Sequence, residues 1–277
     1  MLLKFVEPAN ENFFTDLKMH KNDAEIFYRG GKIKLEYINS KLELFENDIK
    51  LPTEKIEHEH ESGTYTKTIY DYSSKDLGQI QISFEDEKIL LLKLKNISFV
   101  FGLDNDKLVL LSNKGEIIDT AKEVEHWGFK NHELFASSRG YIWSRTIPLI
   151  KKNILIGSGP DTFVFDFPQH DIVGKLKFHD SPYVIVDKPH NFYLQTIINT
   201  GLVSLLILLT LFGYYFFRTI KFLLHNKTFF TLQLGLASGI VGYLISSLAT
   251  DSVVSVAPIF WIIFGLSFAI NSFEESV

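Results

Sequence analysis

The segment Asp187-Lys188-Pro189-His190-Asn191 places a histidine directly before a long apolar stretch. Proline suits the first turn of a helix, and Asp187 or a neighbour can cap that turn, so we predict that His190 lies at a helix N-terminus. The free amide hydrogens and partial positive charge of this end favour phosphate. The same field favours a neutral imidazole, which can accept a proton. The alternative is a histidine that only lies at a membrane interface.

A second segment with reactive residue types, 138–152 (SRGYIWSRTIPLIKK), combines apolar positions with Arg139 and Arg145. The pattern predicts a helix that ends at Lys151 and Lys152, because cations suit a helix C-terminus. The GSGP sequence that follows indicates a tight turn and, by itself, nothing more.

The run Glu57-His58-Glu59-His60-Glu61 contains two kinds of metal ligand, imidazole and carboxylate. In an extended strand His58 and His60 face one side and the glutamates face the other. No third well-placed ligand is evident. The sequence therefore favours a solvated charged loop, and we predict no metal site.

The composition divides the chain into two unlike parts, a polar one and an apolar one. These parts must position the residues named above. The whole chain has 277 residues, 46% of them hydrophobic and 22% charged, which is ordinary for a soluble protein. The last 80 residues, however, hold only three basic and three acidic side chains, so the preceding part carries the net charge of −5. This mild acidity predicts no nucleic-acid partner, and the absence of cysteine excludes disulfides and thiolate metal sites.

Three uncharged stretches in the apolar part are long enough to cross a bilayer, which needs about 20 helical residues. They are Ile197–Phe217, Thr228–Thr250 and Ser252–Phe273. The first connecting loop is basic and the second contains only Asp251. The positive-inside rule therefore predicts a multi-pass protein of the cell membrane, with residues 1–196 outside and the C-terminus in the cytoplasm.

The exported part divides further. Residues 1–23 form a leading segment, and 24–119 read as short alternating strands with polar turns, which predict a small antiparallel sandwich or barrel-like module. Residues 120–196 read as helix, turn and helix, and 197–277 hold the three spans. The predicted fold is thus an α-helical integral membrane protein with a large external loop that contains a β module.

Two motifs in this order resemble the C-terminal signature of the O-antigen ligase and O-antigen polymerase superfamily. They are SSRGYIWSRTIPLIKKNILIGSGPDTF, an arginine-rich helix and a glycine turn, and DKPHNFYLQTIINTGL before a membrane helix. Their spelling is similar to members from low-GC Gram-positive bacteria. The resemblance covers roughly residues 120–277.

The resemblance implies a glycosyltransferase outside the cytoplasmic membrane that needs no metal or cofactor. Its donor would be an oligosaccharide on undecaprenyl pyrophosphate, and its acceptor a hydroxyl of a glycan or another molecule. Arg139 and His190 match the family's motif arginine and histidine and would be catalytic. Arg145, about 120° further round the helix, and Asn191 are the candidates for substrate binding.

The resemblance also implies helices before Met1 that would complete the lipid groove. The first residues, MLLKFVEPANENFF, lack the apolar core of a signal peptide. We therefore expect the chain to be the C-terminal portion of a larger polytopic protein, with little or no transferase activity by itself.

Two other functions remain open. One is a membrane-anchored module that binds wall polysaccharide without activity, and the other is a metal-dependent hydrolase that uses His58 and His60. Alanine at Arg139 or His190 would abolish surface glycan in an enzyme and leave it unchanged in a binding module. Sensitivity to chelators would indicate the hydrolase.

Overall fold

A computed structural model describes most of the chain, with gaps in the turns and at both ends. The described residues are 14–38, 41–52, 54–59, 66–86, 89–95, 97–105, 107–112, 115–118, 124–179, 181–225 and 229–273. The chain divides into two compact units. The first comprises Met1–Val124 and Gln169–Val184, and the second comprises Glu125–Pro168 and Ile185–Val277.

The strands of the first unit form two antiparallel sheets in which chain neighbours are also sheet neighbours. The five-stranded sheet contains β1 (Phe14–Met19), β2 (Asp23–Tyr28), β3 (Gly31–Ile38), β4 (Lys41–Glu46) and β5 (Ile49–Lys50). The six-stranded sheet contains β6 (Glu54–Glu59), β7 (Thr66–Ser74), β8 (Gly78–Asp86), β9 (Ile89–Leu94), β10 (Ile97–Asp104) and β11 (Lys107–Leu110). The predicted antiparallel strands are therefore present, as two sheets.

One hydrophobic core is shared by the two sheets. In β9, alternate side chains Leu90, Leu92 and Leu94 are buried, as expected for a strand with one face on a core. The first strand begins at Phe14, ahead of the predicted start at residue 24. A bulge between Phe14 and Asp16 shifts the register, and the buried residues become Phe14 and Leu17, so the alternation that marks a strand is hidden.

The helices of the described chain are α1 (Phe135–Thr146), α2 (Phe163–Asp166), α3 (Ile172–His179), α4 (Phe192–His225), α5 (Phe230–Ser246) and α6 (Ala257–Phe273). Of these, α3 belongs to the first unit and the others to the second. Ile172 and Leu176 of α3 complete the core of the β unit, and α3 contacts β1.

Lys175 lies on the same short helix and is only 3% exposed. Its ammonium donates hydrogen bonds to the carbonyl and the side-chain oxygen of Gln169, both at 2.8 Å. Burial lowers the pKa of Lys175 from its ordinary value of 10.5 to about 8, although nearby Asp171 opposes this shift. The folded state therefore binds this proton less tightly than the unfolded state does.

Lys175→Met is expected to stabilise the β unit at pH 7 and to lose this advantage as the pH rises. Between pH 8 and 10.5 the unfolded chain keeps the proton that the folded chain has lost, so the wild type gains stability with pH there. At pH 7 we expect the unfolding temperature to rise by about 2–4 °C, the change for roughly 1 kcal/mol. Thermal unfolding between pH 7 and 10 measures this, with the exposed Lys177→Met as control. Parallel pH slopes for wild type and variant would contradict it.

In the second unit, α4 is the one described helix that is long and apolar enough to cross a membrane. The helices α5 and α6 are apolar but shorter, with 17 residues each. The prediction of three spans is therefore not confirmed. The predicted second and third spans included residues 247–250 and 252–256, which instead lie in the non-helical segment between α5 and α6. The first predicted span is also interrupted, because α4 breaks at Gly201.

The three apolar helices pack through aromatic rings and a buried polar cluster. Phe212 and Tyr215 of α4 pack against Phe260 and Phe264 of α6. Buried Gln233 of α5 donates hydrogen bonds to α6 side chains at 2.8 and 2.9 Å. These contacts hold α5 and α6 against α4, and with them the loop that joins α5 to α6.

Candidate functional site

The segment before α4 is held by Asn191, whose side chain caps the helix. Asn191 Oδ1 accepts hydrogen bonds from the amides of Tyr193 and Leu194 at 3.0 and 2.9 Å, as an N-cap residue does. Helix α4 therefore begins at Phe192, and Pro189 lies before it rather than in its first turn. The prediction that His190 lies at a helix N-terminus is correct, but the cap is Asn191 and not Asp187.

His190 contacts a carboxylate that is distant in sequence. Its Nδ1 lies 2.7 Å from Asp251 Oδ2. The Asp251 side chain is 6% exposed, whereas that of His190 is 39% exposed. Because a carboxylate only accepts hydrogen bonds, Nδ1 must carry the hydrogen, and Nε2 of the neutral ring is then an acceptor. The pair thus orients a partly exposed imidazole whose Nε2 can take a proton.

The residues that follow His190 form hydrogen bonds with the loop that contains Asp251 and with the end of α5 before it. Asn191 Nδ2 donates to the Leu248 carbonyl at 2.8 Å, and Tyr193 Oη donates to the Leu244 carbonyl at 3.1 Å. The backbone amide of Phe192 donates to the Ser247 carbonyl at 2.9 Å. Asn191 therefore positions the loop and the helix start, and both ends of its amide are occupied in doing so.

Sequence reasoning missed Asp251 as a site residue. Its signal in the sequence is that it is the single charge between two apolar stretches, where an acidic residue favours a functional role. The His190 contact spans 61 positions, so no local motif could reveal it.

The arginine helix α1 starts irregularly. Ala136, Ser137 and Ser138 have left-handed backbone angles, with φ of 52°, 59° and 66°, so the right-handed helix runs from Arg139. It ends at Thr146 and continues as a 3₁₀ turn, Ile147–Lys151. The predicted helix over 138–152 is thus present, with a tighter last turn that contains Pro148.

The left-handed turn determines what Arg139 contacts. Arg139 Nη1 donates to the Ala136 carbonyl at 2.7 Å. Its Nε is buried and has no hydrogen-bond partner among the residues that the structure describes. A planar guanidinium with a free donor of this kind suits an oxyanion such as phosphate.

Trp143 connects the arginine helix to the histidine segment. Its indole nitrogen donates a buried hydrogen bond of 2.8 Å to the carbonyl of Pro189, the residue before His190. Arg139 lies four residues before Trp143, on the same helix face and about 6 Å along the axis. The two predicted catalytic residues, Arg139 and His190, are therefore on segments in direct contact.

Arg145 lies on a different face. Its guanidinium stacks over the Tyr141 ring, 4.5 Å from the ring centre, and Nη1 donates to Ser144 Oγ at 2.8 Å. Tyr141 is two residues after Arg139 and so points away from it on a helix. The role of Arg145 in substrate binding remains a prediction.

The segment around the glycine turn of the first motif provides hydrogen-bond partners for the backbone of α4 where that helix breaks. At Gly201 the backbone has φ 86° and ψ 174°, and the helical hydrogen bond from Leu202 to Ile198 is lost. Instead Leu202 N donates to the Ile154 carbonyl, and Ser158 N donates to the Ile198 carbonyl, both at 2.7 Å. The two glycine-containing motifs are therefore two sides of one backbone junction.

Of the possible metal site, only part is described. The strand β6 ends at Glu59, and His60 and Glu61 lie outside the described residues. Within the described ranges no group of three or more potential metal ligands comes together.

Comparison with known families finds a match over both sequence motifs. The sequence model of the family described as O-Antigen ligase matches residues 96–209, which include Arg139, Arg145 and His190. Over these residues the chain is similar to that family. Asp251 lies beyond the matched residues. No curated protein and no solved structure gives a significant match to the chain.

Proposed function

We propose that this protein is a glycosyltransferase of the O-antigen ligase or polymerase type, and that it moves a glycan from undecaprenyl pyrophosphate to an acceptor hydroxyl outside the membrane. The observation that supports it best is the His190–Asp251 pair at 2.7 Å on a segment joined to the arginine helix. The family gives the general class of donor and acceptor, a lipid-linked glycan and a polysaccharide.

In the proposed reaction His190 acts as the general base. As the bond between the sugar carbon and the pyrophosphate oxygen breaks, the acceptor oxygen bonds to that carbon and its proton moves to Nε2 of His190. Asp251 keeps the ring in the required tautomer and balances the charge of the protonated ring. The leaving group is the lipid pyrophosphate, which carries away the negative charge.

Arg139 would bind that pyrophosphate. Charge grows on the leaving oxygen in the transition state, and a preorganised guanidinium stabilises it without a metal. Arg139 Nε, a buried donor without a partner among the described residues, would gain a charged hydrogen bond if substrate binding brought a phosphate oxygen to it. Arg145 would bind a more distant part of the substrate.

The orientation in the membrane belongs to this proposal. With the basic residues near the end of α4, Arg218 and Lys221, in the cytoplasm, the site at the start of α4 faces outside, where lipid-linked glycans are consumed. The protein would cross the membrane more than once, since α5 returns the chain to the side of His190.

Arg139→Lys is expected to lower the transfer rate about tenfold. Lysine keeps the charge but loses the planar pair of hydrogen bonds, which costs about 1.4 kcal/mol of transition-state stabilisation. The measurement is the loss of glycan from the lipid-linked donor in membranes that contain the intact protein. Arg29→Lys, at an exposed turn of the β unit, is the matched control. An unchanged rate in Arg139→Lys and in Arg139→Ala would favour the inactive binding module.

A further inference from the structure

The turn after the arginine helix exposes three consecutive aliphatic side chains. Ile154, Leu155 and Ile156 are 47%, 62% and 79% exposed. A water-facing turn rarely carries such a run, since burial of each of these side chains is favourable. Neither the proposed reaction nor the junction with α4 uses the side chains, because the junction is made by backbone atoms.

The backbone junction sets the level of this turn along α4. Ile154 accepts its hydrogen bond from Leu202, and Ser158 donates to Ile198. A side-chain carbon added at Gly201 would overlap the Leu155 carbonyl, so the turn lies directly against the helix there. The three aliphatic residues are therefore level with residues 198–202, where the long apolar part of α4 begins.

The apolar surface continues along α4. Val203, Leu206 and Ile207 are 52%, 54% and 66% exposed, on the helix that is long and apolar enough to cross a membrane. In a bilayer, these side chains face acyl chains. Because the turn lies at the start of this surface, its aliphatic residues reach the boundary between headgroups and acyl chains.

Two lysines precede the aliphatic residues. The side chains of Lys151 and Lys152 are 74% and 55% exposed. Their ion pairs with Glu125 and Asp166 are at the surface and hold them weakly. Lysine stems lie along apolar surface while the ammonium reaches polar groups, which at this level are lipid phosphates.

We propose that residues 151–156 anchor the candidate site to the membrane surface. Ile154, Leu155 and Ile156 enter the acyl boundary of the leaflet at the start of α4, and Lys151 and Lys152 contact anionic headgroups. The anchor holds the arginine helix at the membrane surface. It requires α4 to lie in lipid but does not depend on the transferase reaction.

Single cysteines test the anchor cleanly because the chain has none of its own. Leu155→Cys carries an environment-sensitive fluorophore in the full chain, reconstituted into nanodiscs of phosphatidylcholine and phosphatidylglycerol. The quenchers are aqueous iodide and lipids with a nitroxide near the headgroup. Ile49→Cys, 71% exposed on β5, is the water control, and Ile207→Cys, 66% exposed on α4, is the lipid control.

The expected result is strong nitroxide quenching of the Leu155 label and iodide quenching at least about threefold weaker than at Ile49, as for an interfacial side chain. Iodide quenching equal to that at Ile49 would overturn the proposal. Protection from both quenchers would also overturn it, because protein and not lipid would then cover the turn. If iodide reaches the Ile207 label, α4 is not in lipid and the anchor is excluded with it.

Discussion

Replacing His190 by glutamine is expected to lower the transfer rate by about 10²–10⁴-fold, the usual contribution of a general base. Glutamine was chosen because its amide can still donate a hydrogen bond to Asp251. Alanine would leave a buried carboxylate unpaired, with a cost to folding that would confuse the result. Binding of the lipid-linked donor should change little, since the proposed base acts on the acceptor hydroxyl.

Asp251→Asn tests whether the carboxylate acts through the histidine. Asparagine has nearly the same shape, but its amide can donate to Nδ1, which would place the ring hydrogen on Nε2 and block proton acceptance. If the two residues work as one unit, the double variant loses no more activity than His190→Gln alone. Multiplied losses would show that Asp251 acts independently, for example in holding the loop.

The measurement is initial transfer in membranes that contain the intact protein, at equal protein levels. His20→Gln is the control for replacing a histidine, because His20 lies in the β unit and is half exposed. Retention of full transfer by His190→Gln would remove the histidine from the reaction.

Local sequence patterns predict several elements of the fold, whereas contacts between distant residues are not predictable from them. The arginine helix, the helix start at His190 and the antiparallel strands follow from local patterns, and all are present. Asp251 was missed because its role comes from a contact across 61 positions. The prediction of three spans is not confirmed, for a related reason. Apolar composition does not distinguish a spanning helix from the loop of residues 247–256, in which only Asp251 is charged. Asn191 and Phe192 donate hydrogen bonds to carbonyls of this loop.

The contact between the segments of Gly157 and Gly201 is also not predictable from local sequence. From the sequence, GSGP indicated a turn and the glycine at 201 looked like part of a span. Only the fold shows that Gly157 and Gly201 meet each other's segments: a side-chain carbon at Gly157 would overlap Asn199, and one at Gly201 would overlap Leu155. Both glycines are therefore needed for the same reason: each allows the two backbone segments to approach closely.

Gly201→Ala is accordingly expected to separate the turn from α4. The backbone angles at Gly201 belong to a region that only glycine adopts readily, at a cost of about 1–3 kcal/mol for other residues. The added carbon also meets backbone, which cannot rotate away as a side chain can. Loss of the junction's hydrogen bonds adds about 0.5–1.5 kcal/mol each, so we expect a total of roughly 3–5 kcal/mol.

Hydrogen exchange measures this separation directly. The amides of Ser158, Gly159 and Leu202 donate across the junction, and their protection should fall by at least about 10²-fold in Gly201→Ala, as 3 kcal/mol implies. Gly213→Ala is the matched control, because Gly213 lies on the same helix with open space around it and alanine favours a helix. Full protection in Gly201→Ala would mean that the turn does not depend on close backbone contact. In that case the glycine would serve only the bend of α4.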